Sequence, residues 1–181
     1  MNKTVLITGA TAGIGLAIAK SFAKQGDRLI LTGRRAERLQ ELRDSLPASV
    51  LPLNFDIRNL EEVQTAVQSL PESWRDIDIL INNAGGQFAA LSEYINDKGW
   101  SAVINNNLNG TFFMTREMAN AFFIPQKGGI IVNIIADILR GFPGMAHTGA
   151  ARAGVENLTK TLSMEWSQFN IRINAVAPGI I

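Results

Sequence analysis

The chain has 181 residues, 46% of them hydrophobic and 18% charged, with a formal net charge of +1. Such a composition is globular, which excludes intrinsic disorder, and the near-neutral charge gives no basic field for a nucleic-acid partner. With no cysteine and one histidine, disulfides, thiolate metal sites and a cysteine nucleophile are excluded, and we expect no metal site. The sequence has no signal-peptide pattern and no apolar run of membrane-spanning length, so we expect a cytoplasmic protein without a membrane partner.

Strand and helix patterns alternate along the chain. Six short strands are predicted near Lys3–Thr8, Arg28–Thr32, Val50–Asn54, Ile77–Ile81, Ile130–Ile135 and Ile171–Ala177. Helices are predicted near Ile14–Gln25, Glu37–Ser45, Leu60–Leu70, Ala102–Ile124 and Thr148–Phe169. The strands are branched and almost continuously apolar, which favours a parallel sheet covered on both faces. We therefore expect one doubly wound α/β domain over residues 1–181.

A group of glycines follows the first strand, where the first helix begins. Gly9, Gly13 and Gly15 occupy this turn. Glycine allows the backbone to approach a pyrophosphate, and the start of a helix offers free N–H groups and a positive dipole end. Although glycine also marks ordinary turns, its position between the first strand and the first helix predicts a dinucleotide site.

The end of the second strand selects between the two nicotinamide cofactors. In an NAD site, a carboxylate about twenty residues after the glycine turn binds the ribose hydroxyls. Here Gly33 stands at that position, followed by Arg34 and Arg35. The missing carboxylate removes repulsion against a 2′-phosphate, which a guanidinium can grip as a fork, so we predict NADP(H) rather than NAD(H), with Arg34 as a ligand. Alternatively, both arginines are solvated charges at a helix start.

Two more segments follow predicted strands at the same edge of the sheet. Asp56 and Ile57 could bracket an adenine by a hydrogen bond and an apolar contact, although Asp56 could equally cap the helix that follows. The tetrapeptide Asn82–Gly85 is by itself a turn signal. Its small residues and amides would let a ribose lie against the backbone, and its position in line with the other two segments favours a role in cofactor binding.

Four segments together resemble the short-chain dehydrogenase/reductase family: Thr8–Gly15, Asn82–Gly85, Asn107–Thr111 and Pro178–Gly179. The resemblance covers essentially the whole chain and implies a Rossmann sheet, a nicotinamide cofactor and hydride transfer. It implies cofactor contacts at Gly9, Thr11, Gly13, Ile14, Gly15, Asp56, Ile57, Asn83, Ala84, Gly85, Pro178, Gly179 and the backbone of Ile181. Chains of this family continue with a substrate lid and a last strand, so we expect this chain to be incomplete at its C-terminus and to leave its sixth strand with an unpaired edge.

The catalytic positions of that family are only partly matched. Asn107 fits the family's asparagine, but Thr148 stands at the tyrosine position, Arg152 at the lysine position, and the serine falls at or beside Ala136. A phenol beside an ammonium has a depressed pKa and can protonate a carbonyl oxygen, which a threonine hydroxyl cannot do at neutral pH. Arg152 remains charged and could still hold the ribose hydroxyls of the cofactor.

A narrower resemblance links the chain to peroxisomal trans-2-enoyl-CoA reductases and their 2,4-dienoyl-CoA reductase relatives. It rests on Asn82–Phe88, Asp97–Trp100 and residues 142–154. Such enzymes reduce carbon–carbon double bonds of acyl-CoA thioesters and depart from the tyrosine–lysine pair. Negative charge then develops on the thioester oxygen, where hydrogen-bond donors suffice. We therefore predict an NADP(H)-dependent reductase of an acyl thioester; the alternatives are a nucleotide-binding protein without catalysis and an alcohol or ketone reductase.

The predicted catalytic residues also have plainer interpretations. In the preferred one, Asn107 and Thr148 orient or polarise the substrate while Arg152 anchors the nicotinamide ribose. Thr148, Arg152 and Glu156 are spaced by four, however, so an Arg152–Glu156 ion pair with Thr148 as helix cap deserves equal weight. His147 could donate a proton at neutral pH or be an ordinary hydrogen-bonded loop residue.

Other aromatic and apolar residues favour packing over chemistry. Tyr94, the single tyrosine, has a possible role on the substrate side, but partial packing is the simpler interpretation. The two longest predicted helices are those through which the family forms dimers and tetramers, so we expect a homo-dimer or homo-tetramer. Leu162, Met164 and Trp166 are candidates for that interface.

Overall fold

The computed structural model describes residues 2–179, in which six parallel strands form one sheet. They are β1 (Thr4–Thr8), β2 (Arg28–Gly33), β3 (Val50–Asn54), β4 (Ile79–Asn82), β5 (Gly129–Ile134) and β6 (Ile171–Val176). Their order across the sheet is β3-β2-β1-β4-β5-β6, with every neighbouring pair parallel. The predicted doubly wound α/β fold is confirmed. Within the described part of the chain, β6 pairs only with β5 and forms an edge of the sheet.

Six α-helices connect the strands, and the largest departure from the predicted starts is at α4, which begins five residues early. They are α1 (Gly13–Lys24), α2 (Ala36–Ser45), α3 (Leu60–Gln68), α4 (Asp97–Ile104), α5 (Gly110–Met118) and α6 (Ala146–Glu165). The helix predicted to start at Ala102 starts at Asp97, because the Asn96 side chain caps it by accepting from the Gly99 N–H at 2.8 Å. Wide π-helical turns at Asn105–Asn109 and Ala119–Phe123 follow α4 and α5. Among residues 2–179, no helix is both long and apolar enough to cross a bilayer.

Each face of the sheet packs against its own layer of helices. On one face, Val5 and Ile7 of β1 pack with residues of α1 and α2 such as Ala19 and Leu39. On the other face, Leu6 packs in a separate cluster that includes side chains of α3, α5 and α6. Successive residues of a strand point to opposite faces, so burial on both faces requires continuous apolar strands. This explains the apolar pattern of the strand sequences.

A buried polar chain ties the carboxyl ends of β4 and β5 to the helices. Asn82 and Asn133 lie opposite each other in the two strands, and the Asn82 amide donates to Asn133 Oδ1 at 2.9 Å and to Thr115 Oγ1 at 2.8 Å. The Asn133 amide donates to Thr159 Oγ1 at 2.9 Å. All four side chains are buried. Since buried amides are costly when unpaired, this chain fixes how α5 and α6 sit on the sheet.

Asn133→Ala tests this chain, because it removes the acceptor of the Asn82 amide and the donor to Thr159 in one step. We expect the free energy of unfolding to fall by about 2–3 kcal/mol, since each buried group left unpaired costs about 1–3 kcal/mol. Urea denaturation followed by circular dichroism measures the change. The matched control is Asn157→Ala on an exposed position of α6, expected within about 0.5 kcal/mol of the parent. Equal effects of the two substitutions would contradict the role of the chain.

Candidate cofactor and active site

A cleft of about 640 Å³ opens at the carboxyl ends of β1 to β4. It lies where the strand order reverses beside β1, the position at which doubly wound sheets bind ligands. Its lining consists of Gly9, Thr11, Ala12, Gly13, Ile14, Thr32, Gly33, Arg34, Arg35, Phe55, Asp56, Ile57, Asn83, Ala84, Gly85 and Asn106. Most residues predicted to bind the cofactor are therefore brought together. Gly15, Arg152, Pro178 and Gly179 are not part of the lining, and Ile181 lies outside the described residues.

The three glycines of the turn after β1 meet different requirements. Gly9 and Gly13 have φ values of +65° and +54°, in the left-handed region that favours glycine. A Cβ atom on Gly9 would lie 2.8 Å from Ala84 Cα, and one on Gly15 would collide with Gly9 O and the Asn83 amide. A Cβ on Gly13 would meet no atom within 4 Å, because this residue borders the open cleft. Two glycines thus permit close packing, and the third leaves room for a phosphate at the start of α1.

Thr8 holds the loop after β4 against this turn. Its Oγ1 accepts the backbone N–H groups of Asn83 and Ala84, each at 3.0 Å. In return, the Asn83 side chain donates to the carbonyl oxygens of Thr8 and Gly9, both at 3.1 Å. Thr8 was not among the predicted site residues. A threonine at the last position of a strand does not by itself predict this role, because its partners follow β4, which is distant in the sequence.

Two arginines stand on the cleft wall where an NAD site would carry a carboxylate. Arg34 and Arg35 are both solvent-exposed and both line the cleft. Arg35 Nη2 donates to Thr11 Oγ1 at 2.9 Å, which holds this guanidinium against the glycine turn. The neighbouring Gly33 presents no carboxylate, so the two guanidinium groups outnumber the one carboxylate that the described residues give the cleft lining, that of Asp56. Such a wall can accept a phosphate.

Asp56 reaches the cleft wall as an ionised side chain already held by an arginine. The Arg58 Nε group donates to its two carboxylate oxygens at 3.0 and 2.9 Å. These side-chain hydrogen bonds from Arg58 hold the pKa of Asp56 below its ordinary value. The expectation that Asp56 might instead cap the following helix is wrong, because Asn59 caps α3 by accepting the Glu61 N–H at 3.0 Å.

Asn107 lies in the wide turn between α4 and α5, and its side chain is buried. Its amide nitrogen donates to Gly86 O at 2.7 Å and to Val103 O at 2.9 Å, and its Oδ1 accepts the Gly86 N–H at 3.3 Å. The amide thus braces the loop that continues from the cleft. That it orients the substrate remains a prediction.

Arg152 extends from α6 to the edge of the cleft. Its Nη1 donates to Ile134 O at 3.0 Å, and its Nη2 occupies the space that a Cβ atom on Gly85 would need. The alternative of an Arg152–Glu156 ion pair is wrong, because Glu156 pairs with Lys160 at 2.6 Å. Burial lowers the pKa of Arg152 to about 10, so it still carries its charge at neutral pH. Among residues 2–179, no carboxylate lies within ion-pair distance of this guanidinium.

Thr148 lies in the first turn of α6 and is 1% exposed. It is not the helix cap, because the helix begins at Ala146. Its backbone N–H donates to His147 Nδ1 at 2.8 Å, and its Oγ1 lies 3.3 Å from the same nitrogen. Tyr94 is 74% exposed, which contradicts its expected partial packing. Near the start of α6, the site therefore contains the buried hydroxyl of Thr148 and the desolvated guanidinium of Arg152. The single phenol of the chain, that of Tyr94, is exposed.

These features fit a nicotinamide dinucleotide. The glycine turn leaves room for the pyrophosphate at the start of α1, and the cleft extends along the ends of β2 and β3, where an adenosine would lie. Arg152 stands beside Gly85 at the opposite end, with a positive charge that lacks a counter-ion. When bound, a nicotinamide supplies a hydride. In the described part of the chain, no cluster of His, Asp or Glu could hold a metal ion.

Comparison with known proteins gives the same assignment. The family model described as short chain dehydrogenase matches residues 3–181. A Bacillus subtilis protein named probable 2,4-dienoyl-CoA reductase is 38% identical over 99% of this chain and 73% of its own length. A Thermotoga maritima 3-oxoacyl-[acyl-carrier-protein] reductase is 38% identical over 99% of this chain and 74% of its own. A serine dehydrogenase solved in its closed form with NADP+ superposes with a TM-score of 0.90 at 34% identity, covering 98% of this chain and 72% of that one.

Gly13→Ala and Gly9→Ala separate the two functions of the glycine turn. Gly13→Ala should leave the protein folded but weaken NADPH binding by about tenfold or more, because its methyl group enters the cleft, and a factor of ten is about 1.4 kcal/mol. Gly9→Ala should lower the melting temperature much further, because its methyl group meets the Ala84 backbone. Thermal melts and fluorescence titration with NADPH measure both effects. The interpretation fails if Gly13→Ala destabilises the protein as much as Gly9→Ala.

Arg152→Met tests whether the buried charge serves the cofactor at the expense of stability. The pKa of this group is lower in the folded chain than in the unfolded one, so at neutral pH its charge disfavours folding. We expect the melting temperature of the free protein to rise by about 2–4 °C, the shift that 1 kcal/mol gives in a chain of this size. NADPH affinity should fall. A lower melting temperature with unchanged affinity would show that Arg152 is purely structural.

Proposed function

The chain belongs to the short-chain dehydrogenase/reductase family of oxidoreductases, and we propose that it is an NADP(H)-dependent reductase of an enoyl thioester. The proposal rests on the residues near the start of α6 that could donate a proton or a hydrogen bond to the substrate. The resemblance places Thr148 and Arg152 at the positions of the family's tyrosine and lysine, and no phenol lies beside them in the described part of the site. The 181 residues span about three quarters of the length of the two curated relatives, so the proposal concerns the activity of the site they contain.

The preference for NADP(H) rests on the charge of the cleft wall. Arg34 and Arg35 lie on this wall, and Thr11 holds Arg35 in place. Among residues 2–179, the one carboxylate of the lining, that of Asp56, is paired with Arg58. A 2′-phosphate would bind to two guanidinium groups there, whereas the free hydroxyls of NAD(H) would find no acceptor at Gly33. The serine dehydrogenase of similar fold was solved with NADP+, which supports the same choice.

We infer a preference for a carbon–carbon double bond because, within residues 2–179, the site has no side chain that could act as a general acid toward a carbonyl oxygen. Reduction of a ketone needs a proton at the oxygen as the hydride arrives, and neither Thr148 nor Arg152 is an acid at neutral pH. Reduction of an enoyl thioester places the developing charge on an oxygen that needs only hydrogen bonds, while the proton goes to carbon. In this scheme, Thr148 donates to or orients the substrate and Arg152 holds the nicotinamide ribose. The name of the Bacillus subtilis relative supports this substrate class.

A panel of substrates tests the proposal directly. With NADPH, the protein should reduce a trans-2-enoyl-CoA much faster than a 3-oxoacyl thioester or a simple ketone, as followed by loss of NADPH absorbance. Faster reduction of the 3-oxoacyl thioester would favour the activity named for the Thermotoga maritima relative. NADPH binding without turnover of any substrate would favour a nucleotide-binding protein without catalysis.

The cofactor preference has its own test. Arg34→Ala should weaken NADPH binding by about tenfold, equivalent to about 1.4 kcal/mol, and leave NADH binding nearly unchanged. Arg38→Ala, an exposed arginine on α2 that does not line the cleft, is the matched control and should change neither affinity. Calorimetric titration measures both. Parallel weakening of NADPH and NADH binding by Arg34→Ala would contradict recognition of the 2′-phosphate.

The homo-dimer or homo-tetramer is also a proposal. Met164 is 78% exposed on α6, and an apolar side chain of this size is suited to a subunit contact. Leu162, in contrast, is buried within the chain, so it contributes to the core and not to an interface. Light scattering of the purified protein gives the subunit number.

A further inference from the structure

His147 is the single histidine of the chain, and its side chain is completely buried. Its Nδ1 accepts the backbone N–H of Thr148 at 2.8 Å. A nitrogen that accepts a hydrogen bond carries no proton, so the ring is neutral with its proton on Nε2. The fold thereby selects one tautomer and makes Nε2 a hydrogen-bond donor.

This donor has no partner. Among the residues that the structure describes, no acceptor lies within hydrogen-bond distance of Nε2 of His147. A buried N–H without an acceptor is destabilising, and native proteins rarely tolerate one without a functional reason. The unpaired Nε2 therefore points to a ligand atom that accepts its hydrogen bond.

The position of His147 connects the donor to the candidate active site. It directly precedes Thr148, and the Phe88 ring packs on it edge-to-face with the centroids 4.5 Å apart. Phe88 belongs to the loop that continues from Gly85 and Gly86 at the cleft, and it is 43% exposed. A half-exposed aromatic side chain of the loop beside the cleft thus packs against the imidazole of His147.

We propose that Nε2–H of His147 donates a hydrogen bond to the thioester oxygen of the substrate and stabilises the charge that forms there. This inference rests on the proposed enoyl reductase function. Hydride adds to the β-carbon, the electron pair of the double bond shifts toward the α-carbon and the thioester oxygen, and an enolate forms. A proton from water then adds to the α-carbon, so the double bond gains two electrons and two hydrogens while NADPH becomes NADP+.

A neutral imidazole suits this role because it donates without giving up its proton. A preorganised donor in a site without water stabilises a developing oxyanion more strongly than water does. The resemblance places the family's serine at or beside Ala136, which has no hydroxyl, so His147 would supply the hydrogen bond that a serine there would make. The hydroxyl of Thr148 provides a second hydrogen-bond donor next to it.

The test uses the fact that untagged protein contains one imidazole. In the free protein, the ring ¹⁵N and ¹H NMR signals should be those of the neutral form protonated on Nε2. Addition of NADP+ together with a trans-2-enoyl-CoA gives a complex that cannot react, because it contains no hydride donor. In this complex the Nε2 proton should shift downfield and exchange more slowly with water.

Each outcome has one meaning. If calorimetry detects binding of the thioester but the imidazole signals do not change, the His147 proposal is overturned and the enoyl reductase function stands. If no enoyl thioester binds to the NADP+ complex, the enoyl reductase function fails and the His147 proposal fails with it. A free protein protonated on Nδ1 would also overturn the proposal.

Two variants complete the test. His147→Phe keeps a buried ring but removes the N–H, and we expect enoyl thioester affinity and turnover to fall by about tenfold or more with NADPH affinity unchanged. Since it also removes an unpaired donor from the interior, its melting temperature should not fall. His147→Gln keeps an N–H donor and should retain more activity than His147→Phe. Equal activity of all three proteins would overturn the proposal, as would unfolding of both variants combined with unchanged imidazole signals.

Discussion

The cleft depends on the close approach of two backbone segments, the turn after β1 and the loop after β4. Gly9 lies against Ala84 with no space for a side chain between them, and Thr8 and Asn83 join the two segments by four hydrogen bonds. These segments leave adjacent strands at the point where the strand order reverses. The contact therefore fixes both the width of the cleft and the start of α1, on which the binding of a phosphate depends.

Positive charge dominates this cleft, because its guanidinium groups outnumber the one carboxylate that the described part of the chain adds to the lining, that of Asp56. Arg34 and Arg35 lie on one wall, Arg152 lies near the opposite end, and the carboxylate of Asp56 is already held by Arg58. An anionic cofactor completes the electrostatics of the site, so binding and folding are thermodynamically linked. The same logic applies to His147, whose buried Nε2 has no acceptor among the residues that the structure describes. The buried charge of Arg152 and the unpaired N–H of His147 both destabilise the free protein more than they would destabilise the proposed complex.

The sequence allowed the fold to be predicted because its signals are local and repeated. Apolar strands, helix stop signals and glycines at the end of β1 placed the cleft at the correct edge of the sheet. Side-chain partners were harder to predict, since Glu156 has two cations at a spacing of four and binds Lys160 rather than Arg152. The amide of Asn107 likewise faces Gly86 because of a wide helical turn, which no sequence periodicity reveals. Where a side chain has more than one potential partner, the three-dimensional structure is needed to identify the one that it binds.

The covered position of Thr148 restricts how this site could acquire a different chemistry. A tyrosine there would have to fit where a threonine is 1% exposed and where its Oγ1 lies 3.3 Å from Nδ1 of His147. Overpacking of this kind costs about 1–3 kcal/mol. A change to the tyrosine-dependent chemistry of the family would therefore need smaller side chains at the neighbouring positions first. The order of substitutions, and not only their identity, limits the evolutionary path between the two kinds of site.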